Sequence, residues 1–166
     1  MSMGSLATIA IQKPRNLILI EKDNDLFKFL SNKYKLNKNI SIFNLDALEF
    51  MYENYNSIII ISNMPYNLST KLIIKLLINF DNIKEMILMI QKDVALKFDY
   101  NNMKKNKYNI FLKILTRYEI KFHISNNVFY PKPKVKSSVI KINIKKNKID
   151  NSKLWFFCSN LFKNKR

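Results

Sequence analysis

Directly after an unbroken run of isoleucines the chain reads Asn63-Met64-Pro65-Tyr66. An Asn side-chain carbonyl and the backbone carbonyl before a proline can both accept hydrogen bonds from an amino group. Proline fixes the turn, so these acceptors are positioned in advance. Tyr66 adds a flat ring on which a nucleobase can stack, worth roughly 1–3 kcal/mol per base. Together the groups suit the exocyclic amine of a base drawn out of its stack. The same segment would serve as a strand-ending turn whose tyrosine packs inward, and the spacing alone leaves both readings open. Two acids occupy comparable places. Glu21 ends the apolar run "NLILIE" (16–21), and Asp46 lies two residues past "ISIFN" (40–44). In open α/β sheets ligands collect at the carboxyl ends of the strands, and an acid there commonly accepts from ribose hydroxyls. One such acid is weak evidence. Two acids and the Asn63 segment, in successive loops, form a constellation.

The elements that must position these groups follow from hydrophobic periodicity. Strands are expected at 16–21, 40–44, 57–62, 86–91, 118–124 and 137–144. The third, "SIIIIS", is apolar on both faces, as suits a central parallel strand. In the sixth, Ile140, Ile142 and Ile144 alternate with Lys141, Asn143 and Lys145. Leu26, Phe27, Leu30 and Tyr34 predict a helix over 24–36, and Leu72, Ile73, Leu76, Leu77 and Phe80 mark another. Further helices are expected over 107–116 and around Leu154, Trp155, Cys158, Leu161 and Phe162. Strands alternating with helices imply an α/β domain with a mostly parallel sheet, its final strand pair open to an antiparallel arrangement. Gly4 is the single glycine. Turns must then rely on Asn, which tolerates the left-handed region.

Composition bounds the rest. At 166 residues, 48% of them hydrophobic, the chain fits one domain with a real core and excludes wholesale disorder. No run approaches the roughly 20 apolar residues that span a bilayer. The opening "MSMGSLATIAIQKPRN" shows no basic leader and no clear cleavage site, so no export signal is read. A lone cysteine, Cys158, excludes an internal disulfide and fits a reducing, cytoplasmic setting. The net charge of +17 favours a polyanionic partner, nucleic acid first. A+T-rich codons, which encode Lys, Asn, Ile, Phe and Tyr, would also produce it. With one histidine (His123) and one cysteine, the usual zinc constellations are excluded. His123 is read as packing in or beside a strand rather than as catalytic, and Met86 and Met89 as core filling. The lysine-rich stretches 104–107 and 145–148 read as solvated loops.

"NMPYNLST" resembles the N-[LIM]-P-Y-N-x-S-T segment of the rRNA adenine dimethyltransferases, a family similar in fold to the S-adenosylmethionine-dependent methyltransferases. The resemblance continues in order along the chain, in "LILIEKDNDLFKFL", "NLDAL", "MIQKDVALKF", "VFYPKPKVKSSVIKI" and the closing "LFKNKR". It implies a Rossmann-like α/β sheet with helices on both faces, and S-adenosyl-L-methionine as cofactor. Glu21 would be its ribose-binding acid, Asp46 would contact its adenine, and Gly4 would be the last glycine of its loop. Asn63 would stand where cofactor and substrate meet. Asn63, with the carbonyl of Met64 or Pro65, would hold the target amine, while Tyr66 and Phe129 stack on the flipped base. No metal and no nucleophile is called for. Lysines at 132–136 and the terminal "KNKR" would contact phosphate. The Gln91-Lys92 pair follows the subgroup acting on adjacent adenines near the 3′ end of small-subunit rRNA during ribosome maturation. The alternative subgroup methylates a large-subunit adenine and confers macrolide resistance.

The chain also departs from the family pattern. The earlier glycines and the strand before them are missing, which would open the sheet at its middle, and so is the helical domain after the final basic run. Residues 1–150 are therefore expected to form an N-terminally incomplete methyltransferase domain, and 151–166 the start of a truncated helical region. Residues 5–11, "SLATIAI", suit either the first helix or a replacement strand. A monomeric enzyme acting on the immature small subunit is the expectation. A non-catalytic rRNA-binding assembly factor and a general basic RNA binder are its rivals.

Overall fold

The computed structural model describes residues 16–65, 67–130 and 133–163. They belong to two compact units that divide after Tyr52.

In the first unit, β1 (Leu17–Ile20) and β2 (Ile40–Phe43) pair in parallel, from Leu17 opposite Ile40 to Ile20 opposite Phe43. Between them runs α1 (Asn24–Lys33). Its start is fixed by Asp23, whose carboxylate accepts the backbone N–H of Asp25 and of Leu26, satisfying two of the donors a helix leaves free at its first turn. The helix stops at Lys33 because Tyr34 leaves helical geometry, at φ −109° and ψ 14°, short of the expected residue 36. Tyr34 remains buried, and with Leu30 it packs against Leu19, Ile40 and Ile42. Beyond β2, Phe50 meets Phe43 and Tyr52 edge-on, at 5.5 and 4.9 Å between ring centres.

The second unit holds β3 (Ile58–Asn63), α2 (Ser69–Asn79), β4 (Ile83–Gln91), α3 (Lys92–Phe98), α4 (Lys107–Leu115), β5 (Thr116–Ile124), β6 (Ser137–Ile144) and α5 (Asn151–Leu161). Its sheet runs in the order β3-β4-β6-β5. β3 and β4 are parallel, whereas β6 enters antiparallel between β4 and β5. Met86, Leu88 and Ile90 of β4 and Ile140 and Ile142 of β6 alternate inward and are fully buried. The helices pack on one another through Trp155, whose ring meets Tyr108 at 5.6 Å and Phe111 at 5.1 Å and so joins α5 to α4. The Asn151 side-chain amide donates to the Leu77 carbonyl (2.8 Å) and ties α5 to α2.

Three features differ from the sequence reading. The isoleucine run is not covered on both faces, since Ile59 and Ile61 are 60% and 51% exposed. Among the described residues β3 is hydrogen-bonded on one edge only, to β4. A helix not anticipated, α3, leaves β4 without a loop and buries Ala95 and Phe98. At seven residues it is shorter than the window in which a helical period becomes legible. Finally, the asparagines do not turn the chain through the left-handed region. Among the described residues Ser57, at φ 61°, is the only one there. The asparagines instead use their side chains as staples. Asn106 caps α4 by accepting the N–H groups of Tyr108 and Asn109, and donates to the Lys97 carbonyl (3.0 Å). Asn109, fully buried, accepts from Asn106 N–H (3.0 Å) and donates to the Lys104 carbonyl (3.1 Å). Removing Asn109 would leave those backbone groups unsatisfied in a closed site. Asn109→Ala is expected to lower unfolding free energy by about 1–3 kcal/mol in urea titrations, with loosening of the loop after α3 visible in hydrogen exchange.

Candidate functional site

Strand register gathers one end of the second unit's sheet. Asn63, last in β3, lies opposite Met89, and Gln91, last in β4, lies opposite Ser137, which in turn faces Ile124 at the end of β5. The strand end carrying Asn63, the start of α3 and the loop from Ser125 to Lys136 therefore share this end. Met64 extends the ladder by one bond, donating its N–H to the Met89 carbonyl (3.0 Å). Its side chain is buried and anchors the turn. The Pro65 carbonyl accepts the N–H groups of both Leu68 and Ser69, each at 3.1 Å, and so starts α2. That leaves the Met64 carbonyl as the acceptor without a partner among the described residues. The Asn63 amide is half-buried and likewise makes no hydrogen bond among them. A strand end that offers an uncommitted amide beside an uncommitted carbonyl can bind a group with two donors.

Phe129 reaches the same end from the other side of the sheet. Its loop is held at both limbs. Ser125 accepts the Asn127 N–H through its hydroxyl (3.3 Å), and Phe129 N–H donates to the Asn126 carbonyl (3.4 Å). The Asn126 side chain donates to the Pro133 carbonyl (3.3 Å), and the Lys136 carbonyl accepts from Lys92 at the start of α3 (2.9 Å). Phe129 itself is half-buried.

Glu21 and Asp46 belong to the first unit. Glu21 is 5% exposed. Its backbone N–H donates to the Phe43 carbonyl (3.0 Å), and its own carbonyl accepts from the Asn44 side chain (2.9 Å), so the strand end is fixed. One carboxylate oxygen, Oε1, accepts the Asp23 N–H (2.9 Å); the other, Oε2, is buried without a partner among the described residues. Such an oxygen is costly unless a donor reaches it. Asp46 is more committed. Its Oδ1 accepts the Leu48 N–H (2.9 Å), and its Oδ2 pairs with the Lys22 ammonium (2.9 Å), whose pKa that hydrogen bond raises. Sequence reasoning missed Lys22 and Asn44 as members of this cluster. Both act on residues more than twenty positions away, and no local pattern announces that.

Gly4, Tyr66 and Lys132 lie outside the described residues, as do residues 5–11 and the closing residues 164–166. His123, expected to pack, is exposed on β5, with Nδ1 2.7 Å from the Ser138 hydroxyl. Cys158 is buried in α5, and burial pushes its thiol pKa up, so it is a poor nucleophile. Among the described residues no group of His, Cys, Asp and Glu could hold a metal ion, and no helix is long and apolar enough to cross a membrane.

Known proteins resemble this chain in sequence and in fold. The family profile described as "Ribosomal RNA adenine dimethylase" matches residues 3–166. A ribosomal RNA small subunit methyltransferase A of Malacoplasma penetrans is 36% identical over 149 residues, which cover 87% of this chain and 53% of the relative. The protein of that name from Mycoplasma capricolum subsp. capricolum is 31% identical over 176 residues, 98% of this chain and 65% of the relative. The chain thus spans between about half and two thirds of the length of the curated relatives it matches. In fold it is similar to a dimethyladenosine transferase from Plasmodium falciparum, at TM-score 0.86 and 21% identity over 98% of this chain and 61% of that one. It is similar too to the 23S rRNA methyltransferase ErmE, at TM-score 0.80 and 20% identity over 95% of this chain and 64% of that one. These likenesses establish a Rossmann-like α/β methyltransferase fold.

The turn that carries Asp46 offers a test that needs no ligand. The Tyr52 hydroxyl donates to the Ala47 carbonyl (3.0 Å). Burial, and then the charge of Asp46, push its pKa up to about 12 from an ordinary 10.0. A phenol that ionises less readily when folded contributes stability that is complete below about pH 10 and is lost as pH rises toward 12. In alkaline unfolding titrations Tyr52→Phe is expected to flatten the fall in stability across that window. An unchanged slope would show that the hydroxyl is not held as described.

Proposed function

This chain belongs to the ribosomal RNA adenine dimethylase family, and on that premise we propose that it transfers methyl groups from S-adenosyl-L-methionine to the exocyclic amine of adenines in small-subunit rRNA. The observation that carries the reading is the pair of free acceptors at the end of β3. The Asn63 side-chain oxygen and the Met64 carbonyl accept the two hydrogens of an adenine amine, and so point its lone pair out of the base plane. Fixing that direction is the enzyme's main contribution, since alignment of two bound reactants alone supplies a large part of a barrier reduction. Of the two carbonyls first considered, Pro65's is taken by the helix start, so Pro65 serves through its rigid turn. Tyr66 and Phe129 stack on the everted base.

The residues present fit the donor. The unpartnered buried oxygen of Glu21 suits the paired hydroxyls of a ribose, and Asp46, its side chain oriented by Lys22, suits the adenine amine of the same molecule. Gly4 lies in the sequence where the backbone would approach the methionine moiety. When bound, this cofactor supplies a methyl already made electrophilic by the sulfonium charge. No protein nucleophile or metal is assigned a role, and the methylated amine passes its proton to water.

Lys134 and Lys136 contact phosphate, giving affinity a salt-dependent share. Residues 1–150 form the methyltransferase portion, and 151–166 open a helical region. The partner is the immature small ribosomal subunit, met by a monomer in the cytoplasm. The names of the sequence relatives support small-subunit rRNA over large-subunit rRNA as substrate.

Asn63→Ala is expected to lower methyl transfer to adenine by at least about a hundredfold while leaving donor affinity within a few fold, measured by tritiated-methyl incorporation into immature subunits. A variant that methylates normally would remove the assignment. A wild-type chain that binds particles without ever labelling them would mark a non-catalytic assembly factor instead. Glu21→Ala is expected to weaken donor binding in calorimetry by about ten- to a hundredfold, because two charge-assisted hydrogen bonds are lost.

A further inference from the structure

Tyr130 is 99% exposed. Single exposed aromatics are ordinary on protein surfaces, but this one departs from the habit of the chain. Tyr34 and Tyr52 are buried, Tyr108 packs on Trp155, and the Tyr118 hydroxyl bonds the Ala95 carbonyl (2.7 Å). Even the partly exposed Tyr100 is covered by two lysines, with Lys105 4.1 Å and Lys113 5.1 Å from its ring centre. Among the described tyrosines Tyr130 is the most exposed, and it is presented at the end of the sheet that carries Asn63.

Backbone geometry fixes which way it faces. Phe129 is extended, at φ −107° and ψ 145°, so the side chains on either side of it project away from its own. Accordingly Phe129 is half-buried, while Val128 and Tyr130 are 65% and 99% exposed. A ring aimed opposite to Phe129 is not placed to stack on the same base. The limbs of the loop are pinned by Asn126 on Pro133 and by Lys136 on Lys92. Tyr130 therefore projects from a held base. Along the chain the charge near it has one sign: no Asp or Glu occurs from Ile120 to Ile149, and Lys134 and Lys136 are exposed.

We propose that Tyr130 is a stacking platform for an unpaired RNA base next to the one held at Asn63, with Lys134 and Lys136 on the phosphates of that nucleotide. The proposal rests on the reading above that the chain acts on RNA. A planar ring with cations at its side is the chemistry that takes single-stranded RNA: stacking tolerates any base, and the ammonium groups follow the backbone. The platform keeps the neighbouring nucleotide from restacking on the everted one, and so works through binding of RNA rather than of the methyl donor.

The test uses a short fluorescein-labelled single-stranded RNA containing adenines, read by anisotropy, together with methyl transfer to the same RNA. Tyr130→Ala is expected to weaken RNA binding by about tenfold and to raise KM for RNA with little change in kcat. Tyr130→Phe, which keeps the ring, is expected to remain within about twofold of wild type. The slope of log affinity against log salt stays the same in both variants. In Lys134→Ala/Lys136→Ala it falls by roughly 1.4, the share of two phosphate contacts to a single strand. Tyr130→Ala binding within about twofold of wild type would overturn the platform, as would a wild-type chain with no affinity for this RNA. If Tyr130→Ala weakens binding in a chain that never methylates, the platform stands and the proposed reaction falls. If methylation proceeds and the variant binds normally, the reverse holds.

Discussion

Two hydrogen bonds to the Pro65 carbonyl, from Leu68 and Ser69, decide how this protein presents its chemistry. They begin α2 at Ser69, a short turn after β3 has ended at Asn63. Proline suits the junction because it has no N–H to lose from the ladder, which Met64 has already closed by donating to Met89. Asn63 is held by strand register opposite Met89. Its amide makes no hydrogen bond among the described residues. A polar side chain can be left uncommitted there at low cost because it is only half-buried. Glu21 is the opposite case, a carboxylate oxygen buried without a donor among the described residues, which is costly.

Much of this was legible in the sequence. All six described strands lie where apolar runs placed them, and the Asn-Met-Pro-Tyr segment announced a strand end. The reason is physical: buried strands must be apolar, and a proline next to an amide has few structural uses. What escaped reading was whatever depended on distance along the chain. That Asn44 would hold the Glu21 carbonyl, or Lys22 the Asp46 carboxylate, follows from the parallel pairing of β1 and β2 and from no local pattern. The choice between the Met64 and Pro65 carbonyls required knowing where α2 starts. Helix α3 escaped because its seven residues are too few for a helical period to show. The asparagines were recognised as turn residues for the wrong reason, through backbone tolerance rather than through their amides.

Charge reads differently once side chains are placed. A net +17 suggests a surface crowded with repelling lysines. Many are employed within the fold instead. Lys145 donates to the last carbonyls of α4, at 2.7 Å to that of Lys113, where a cation is favoured by the helix dipole. Lys97 lies 3.9 Å from the Tyr108 ring centre and Lys107 5.2 Å from that of Trp155. Lys141 pairs with Glu85 across the sheet. These uses explain how so basic a chain packs around an ordinary core. They also separate the lysines that support the fold from Lys134 and Lys136, which are exposed close to Tyr130 in the chain.

The loop that joins α3 to α4 is closed by amides, Asn106 on Lys97 and Asn109 on Lys104, rather than by ion pairs. An amide has no proton to shed in ordinary media and no charge for mobile ions to crowd. These two amide closures thus ignore acidity and ionic crowding. This part of the frame therefore leans on contacts that dissolved salt does not weaken.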